Sequence, residues 1–195
     1  ILTGEVVARA TRLEQNAPTA GVLVDAETVS RAGGAATVEP FEAPAADGGA
    51  SHGGSAALGD VYLLIGATRA DGEAATGGHA PPVESTSGTT RQPGFTDTRK
   101  TVTIVFTDLR ASYRAGEPLS PERQRDVMAR AFEVAHRVLS AHGGTVEKFI
   151  GDAVMAVFGL PVRHEDDGLR AVRAALELTA GLSALSDTLA AEDEI

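Results

Sequence analysis

The chain has 195 residues, enough for one good core or two small ones, and its 27 acidic against 17 basic residues give a formal charge of −10. With that balance and no Lys/Arg-rich stripe, non-specific binding to nucleic acid or to an anionic membrane is disfavoured, because both need positive charge to displace counterions. The absence of cysteine excludes disulfides and thiolate metal sites and makes a reducing compartment, hence the cytoplasm, the default expectation.

The chain opens on Ile1 and lacks the charged start and apolar core of a signal peptide, so further residues are expected upstream. The first elements are a helix from about Val6 to Gln15, a short strand at Val22–Val24, a helix over Ala26–Ala32, and strands near Thr37–Phe41 and Val61–Ile65. Residues 43–59 hold too few large apolar groups to offset the entropy of ordering them and read as a flexible insertion. Residues 69–98 have the same character, with Gly77, Gly78, Pro81, Pro82, Gly88, Pro93 and Gly94 among Ser and Thr, and read as a linker. Two α+β pieces follow, 1–68 and 99–195.

In the second piece the β-branched run Thr101–Thr107 reads as a buried strand ending at Asp108. Ser120 and Pro121 form a helix N-cap and first-turn proline, and Met128, Ala131, Phe132, Ala135, Val138 and Leu139 recur at helical spacing up to Gly143 and Gly144. Thr145–Ile150 and Ala153–Phe158 are apolar runs joined by Gly151 and Asp152, a pair that suits a tight hairpin turn. From Asp166 a helix carries Leu169, Val172, Leu176, Leu182, Leu185 and Leu189, with acids in its first turn. The longest apolar runs, Val61–Gly66 and Ala153–Gly159, fall far short of the ~20 residues that span a bilayer.

The order β-α-β-β-α has one geometric consequence. In a split β-α-β arrangement the second hairpin strand lies between the other two and runs antiparallel to the first. The end of the Thr101 strand then sits beside the start of the Ala153 strand, so Asp108 and Asp152 are expected to converge. From the spacing alone, the alternative is that Asp152 is a turn residue and Asp108 a strand terminator.

Arg99–Leu109 (RKTVTIVFTDL), Gly143–Gly159 (GGTVEKFIGDAVMAVFG) and His164–Ala175 (HEDDGLRAVRAA) together resemble the class III adenylate/guanylate cyclase family. The earlier run Gly4–Gln15 (GEVVARATRLEQ), followed by Ala17, Pro18 and Gly21–Asp25, is similar to the later half of the same family's domain, where the pattern is G-D-x-V-N-x-A-x-R-L. The resemblance implies an α+β, ferredoxin-like cyclase fold, an antiparallel sheet with helices on one face. It would be present as the tail of one domain (1–68), a linker (69–98) and the head of a second (99–195). A tail preceding a head could also dock within one chain, with 1–68 pairing edge to edge with the Thr101 strand.

The resemblance further implies two Mg²⁺ (or Mn²⁺) ions held by Asp108, Asp152 and the Leu109 carbonyl, an oxygen-only set suited to such ions. The substrate it implies is ATP, cyclised to cyclic AMP and pyrophosphate by two-metal catalysis in intracellular signalling. Lys148 aligns with the position that reads the purine edge, and Arg12 with the arginine that offsets charge on the transferring phosphate. Ala111, Ser112 and Tyr113 stand in the loop that cradles phosphates, where the family usually has a glycine. Ala8 replaces the family's ribose-orienting Asn. Such enzymes work as head-to-tail pairs, so the partner would be a second cyclase domain, in tandem or in a homodimer, and a fragment alone would be inactive or nearly so. The rival reading keeps the fold and drops the chemistry: a degenerate cyclase-homology module that regulates or dimerises. His164–Asp167 reads as acids opening a helix rather than a metal cluster.

Overall fold

The structure, a computed structural model, describes residues 4–42, 59–68, 100–109, 120–150 and 152–193. The expected linker at 69–98, the insertion at 43–59 apart from Gly59, and the loop holding Ala111, Ser112 and Tyr113 lie outside the described residues. The first piece contains α1 (Glu5–Asn16), β1 (Leu23–Asp25), α2 (Ala26–Ala32), β2 (Ala36–Pro40) and β3 (Val61–Ala67). The second contains β4 (Thr103–Asp108), α3 (Pro121–Ala141), β5 (Thr145–Ile150), β6 (Ala153–Phe158) and α4 (Asp167–Asp193). The fold is α+β with antiparallel sheets, as the sequence implies.

Local signals set the second piece. Ser120 caps α3, its Oγ accepting the Arg123 amide hydrogen at 3.2 Å, with Pro121 opening the helix. Gly143 closes it at φ 84°, and a Cβ on Gly144 would come within 2.7 Å of the Phe158 ring, so only glycine lets the chain enter β5 there. The strands pair antiparallel in the order β4-β6-β5, the order required by the split arrangement. β4 starts two residues later than the sequence suggests, at Thr103, and includes Asp108 as its last residue.

Val154, Ala156 and Phe158 of β6 share a core with Val127, Ala131, Ala135 and Leu139 of α3 and with Ala171, Ala174, Leu178 and Leu185 of α4. All five residues from Val154 to Phe158 are fully buried, as expected of the central strand. At the far end of the helix pair, Glu192 of α4 accepts from both terminal nitrogens of Arg130 at 2.8 and 2.9 Å. That hydrogen bonding holds the Glu192 carboxyl below its ordinary value of 4.5.

α4 is apolar on a second side. Val172 is buried with Val24, Ala32 and Leu64 of the first piece, and Leu169 and Leu176 pack beside it. The start of α4 approaches α2 so closely that a Cβ on Gly168 would lie 2.8 Å from Arg31 Cβ. Arg173 ties the same helix to the end of β3, its Nη2 donating to the Thr68 carbonyl at 2.8 Å. The first piece therefore docks onto the second, but not by strand pairing. Its strands form a separate sheet in the order β1-β3-β2, and among the described residues β4 pairs with β6 only. The expected edge-to-edge pairing with the Thr101 strand is thus corrected. What joins the pieces is burial of the second apolar side of α4, which needs no shared hydrogen bonds.

A buried, unpaired charge at this junction should release the first piece selectively. Val172→Asp is expected to cost about 2–5 kcal/mol. In amide hydrogen exchange, β1–β3 and α2 should lose protection while β4–β6 keep theirs. Equal loss from both sheets would contradict joining through α4.

Candidate active site

Asp108 stands opposite Ala153 in the β4–β6 register, and Asp152 is the turn residue immediately before Ala153. The Leu109 amide donates to the Asp152 carbonyl oxygen at 2.9 Å, which closes the ladder just beyond the strand end. The two carboxylates are thereby held at one end of the central strand pair, and both residues are half-buried. Alternation along the strand explains how Asp108 is presented. Val105 and Leu109 belong to the core beneath α3 and α4, so Ile104, Phe106 and Asp108 occupy the opposite face. Leu109 is fully buried and acts as the anchor that fixes the carboxylate before it.

The remaining sequence candidates are distributed differently. Lys148 lies in β5, in register with Met155 of β6, and its side chain lies outside what the structure describes. Arg12 is exposed on α1, one turn after the exposed Ala8. It is absent from the wall of the ≈ 750 Å³ cavity that α1 shares with β4, where Val6, Arg9 and Leu13 stand instead, with Asp108 among the residues lining the β4 side. The structure brings the Asp108 and Asp152 ends of the strands together and leaves Arg12 off the cavity wall that Asp108 lines. Ala111, Ser112 and Tyr113 are outside the described residues.

Two residues that the sequence reading passed over help shape this region. Asp25 caps α2, its Oδ1 accepting the Thr28 amide hydrogen at 2.8 Å, and its Oδ2 pairs with Arg9 Nε at 3.1 Å. The signal was present: an Asp ending an apolar strand and followed by a helical stretch is an N-cap pattern. Its pairing with Arg9 spans a loop and leaves no mark in local sequence. His164 behaves as expected of a helix opening, its amide donating to Asp167 Oδ2 at 2.8 Å.

No group of three or more His, Cys, Asp or Glu side chains able to hold a metal occurs among the described residues. Two carboxylates and a carbonyl suit a hard dication that takes its other ligands from substrate phosphates and water, as magnesium commonly does.

The residue pattern and this geometry meet in the comparison with known proteins. Residues 96–191 match the model of the adenylate and guanylate cyclase catalytic domain. This stretch belongs to that family. The cyclase segment is also similar to Adenylate cyclase 1 of Rhizobium meliloti (strain 1021), 33% identical over 88 residues. That alignment takes in 45% of the chain and 13% of the relative, so the chain spans a small part of that protein's length. No described helix is long and apolar enough to cross a membrane.

The double role of Asp25 gives a graded test of the framework beside the cyclase segment. Asp25→Ala should cost about 1–2 kcal/mol through the lost cap, whereas Asp25→Asn keeps a capping oxygen and should cost less than half as much. Urea denaturation of the two variants checks this. Equal costs would mean that the Arg9 ion pair, not the cap, dominates.

Proposed function

We propose that this chain is part of a class III nucleotide cyclase that converts ATP to cyclic AMP and pyrophosphate in cytoplasmic signalling. The observation that carries the reading is the convergence of Asp108 and Asp152 at one strand end, within a stretch that belongs to the cyclase family. The name of the relative, an adenylate cyclase, favours ATP over GTP, and Lys148 supplies an ammonium suited to a purine ring nitrogen.

Two Mg²⁺ or Mn²⁺ ions, when bound, would supply the Lewis acidity that activates the ribose 3′-hydroxyl and clamps the triphosphate. The chain's own part is positional. Asp108 and Asp152 would provide carboxylate oxygens, and the hydrogen bond from the Leu109 amide to the Asp152 carbonyl oxygen ties their backbones together before any ligand arrives. In a head-to-tail pair Arg12, exposed on α1, would serve as the arginine of one domain that faces the metal-binding carboxylates of the other, with Asp108 and Asp152 as those carboxylates in a tandem arrangement. Its guanidinium would offset charge developing on the transferring phosphate. Ala111, Ser112 and Tyr113 would offer backbone amides to the phosphates. In this reading 1–68 is the tail of one cyclase domain and 99–195 the head of a second, joined by 69–98, and catalysis needs a partner domain in tandem or in a homodimer.

A second reading, a cyclase-homology module that regulates or dimerises without turnover, draws on two departures: Ala8, whose methyl cannot hydrogen-bond a ribose, and the Arg110–Tyr113 loop without its glycine. Assay of the full-length parent with ATP and Mn²⁺ or Mg²⁺ separates the two. Cyclic AMP is expected, falling at least about 100-fold in Asp152→Ala. No product with either metal, or product unaffected by the substitution, would favour the regulatory module.

A further inference from the structure

The end of α4 carries acid where helix electrostatics disfavour it. The C-terminal end of a helix holds partial negative charge, which favours Lys, Arg or His in the last turn and opposes carboxylates. α4 has no basic residue in its last turn, and Glu192 stands there. Apolar packing does not hold that turn either: Leu189 is buried, while Ala190, Ala191 and Glu192 beyond it are exposed. The missing cations come from α3. Arg130 donates to Glu192 from both terminal nitrogens at 2.8 and 2.9 Å, and Arg123 Nη2 adds a third contact at 3.4 Å. Asp126 pairs with both arginines along α3, 3.2 Å from Arg123 Nη1 and 3.9 Å from Arg130 Nη1, which links the four side chains into one network. A bidentate, networked pair is the kind of surface ion pair that keeps a measurable effect.

We propose that the last turn of α4 is an electrostatic latch, closed by Arg123 and Arg130 of α3 and opened when those charges are removed or screened. The sign of the Glu192 contribution then depends on α3. With both arginines present, Glu192 holds the turn folded. Without them, the same carboxylate is left at the negative end of its own helix and drives the turn open. Salt acts with two signs for the same reason: it screens the ion pairs in the intact chain, and it screens the repulsion in a chain that lacks the arginines. An ordinary surface ion pair, at a position where the acid is otherwise indifferent, has no such reversal. None of the latch residues belongs to the candidate active site, so the inference does not depend on cyclase activity.

The test is site-resolved amide hydrogen exchange at Ala190–Glu192 in the 195-residue chain, taken relative to intrinsic rates, in a cycle of Glu192→Gln with the pair Arg123→Gln, Arg130→Gln. With the arginines present, Glu192→Gln should speed exchange about threefold. Raising NaCl from about 0.05 to about 0.5 M should also speed it, and this arm needs no variant. With the arginines removed, both changes should slow exchange instead. Exchange at Val154–Phe158, in the central strand, is the control and should stay constant throughout. Three results would overturn the proposal: Glu192→Gln slowing exchange or leaving it unchanged in the otherwise intact chain, effects of the same sign with and without the arginines, or no response to salt.

Discussion

The structure depends on a helix with two apolar sides. α4 must bury Ala171, Ala174, Leu178 and Leu185 against α3 and the β4–β6–β5 sheet, and Val172 with Leu169 and Leu176 against the first piece. A surface helix normally buries one stripe and exposes the rest. Here neither side can be left in water without loss of hydrophobic stabilisation, so the helix serves as a shared wall. The first piece gains most. Its three strands, the seven-residue α2 and the twelve-residue α1 bury few large side chains of their own, and small sheets of this kind are marginal until a further helix packs on them.

The same wall prepares the site. With α3 and α4 holding one face of the sheet, β6 is buried along its length and β4 is fixed beside it, so the Asp108 end of β4 has no freedom to slide. A one-residue slip would turn Asp108 into the core and Leu109 out of it, exchanging a buried leucine for a buried charge. The carboxylate pair is held by apolar packing behind it and one backbone hydrogen bond beside it. In phosphoryl transfer generally, little covalent work falls to the protein and positioning supplies most of the effect.

Much of this was legible in the sequence. Ser120 and Pro121 announced α3, the Gly151–Asp152 pair announced the hairpin, and the element order alone implied that Asp108 and Asp152 converge. Other features were not legible, for physical reasons. The pattern of α4 shows that it is broadly apolar, but periodicity cannot say what covers a second side when the covering residues, Val24, Ala32 and Leu64, lie more than a hundred positions earlier. Arg9 and Arg12 are both arginines on one short helix, and nothing local distinguishes the one that turns toward Asp25 from the one left exposed. Edge-to-edge pairing of the two pieces was a natural expectation from topology. It failed because side-chain burial on α4 joins them without backbone bonds.

The central claim is that the Asp108–Asp152 end of the strand pair is a divalent metal site that works with nucleotide. Paramagnetic broadening by Mn²⁺ in the presence of a non-cyclisable ATP analogue tests it most directly. Selective broadening of the Asp108, Leu109, Asp152 and Ala153 amides, abolished in the Asp108→Asn, Asp152→Asn double variant, is the expected result. Broadening centred on the acidic opening of α4 at Glu165–Asp167, or spread evenly over the acidic surface, would contradict it.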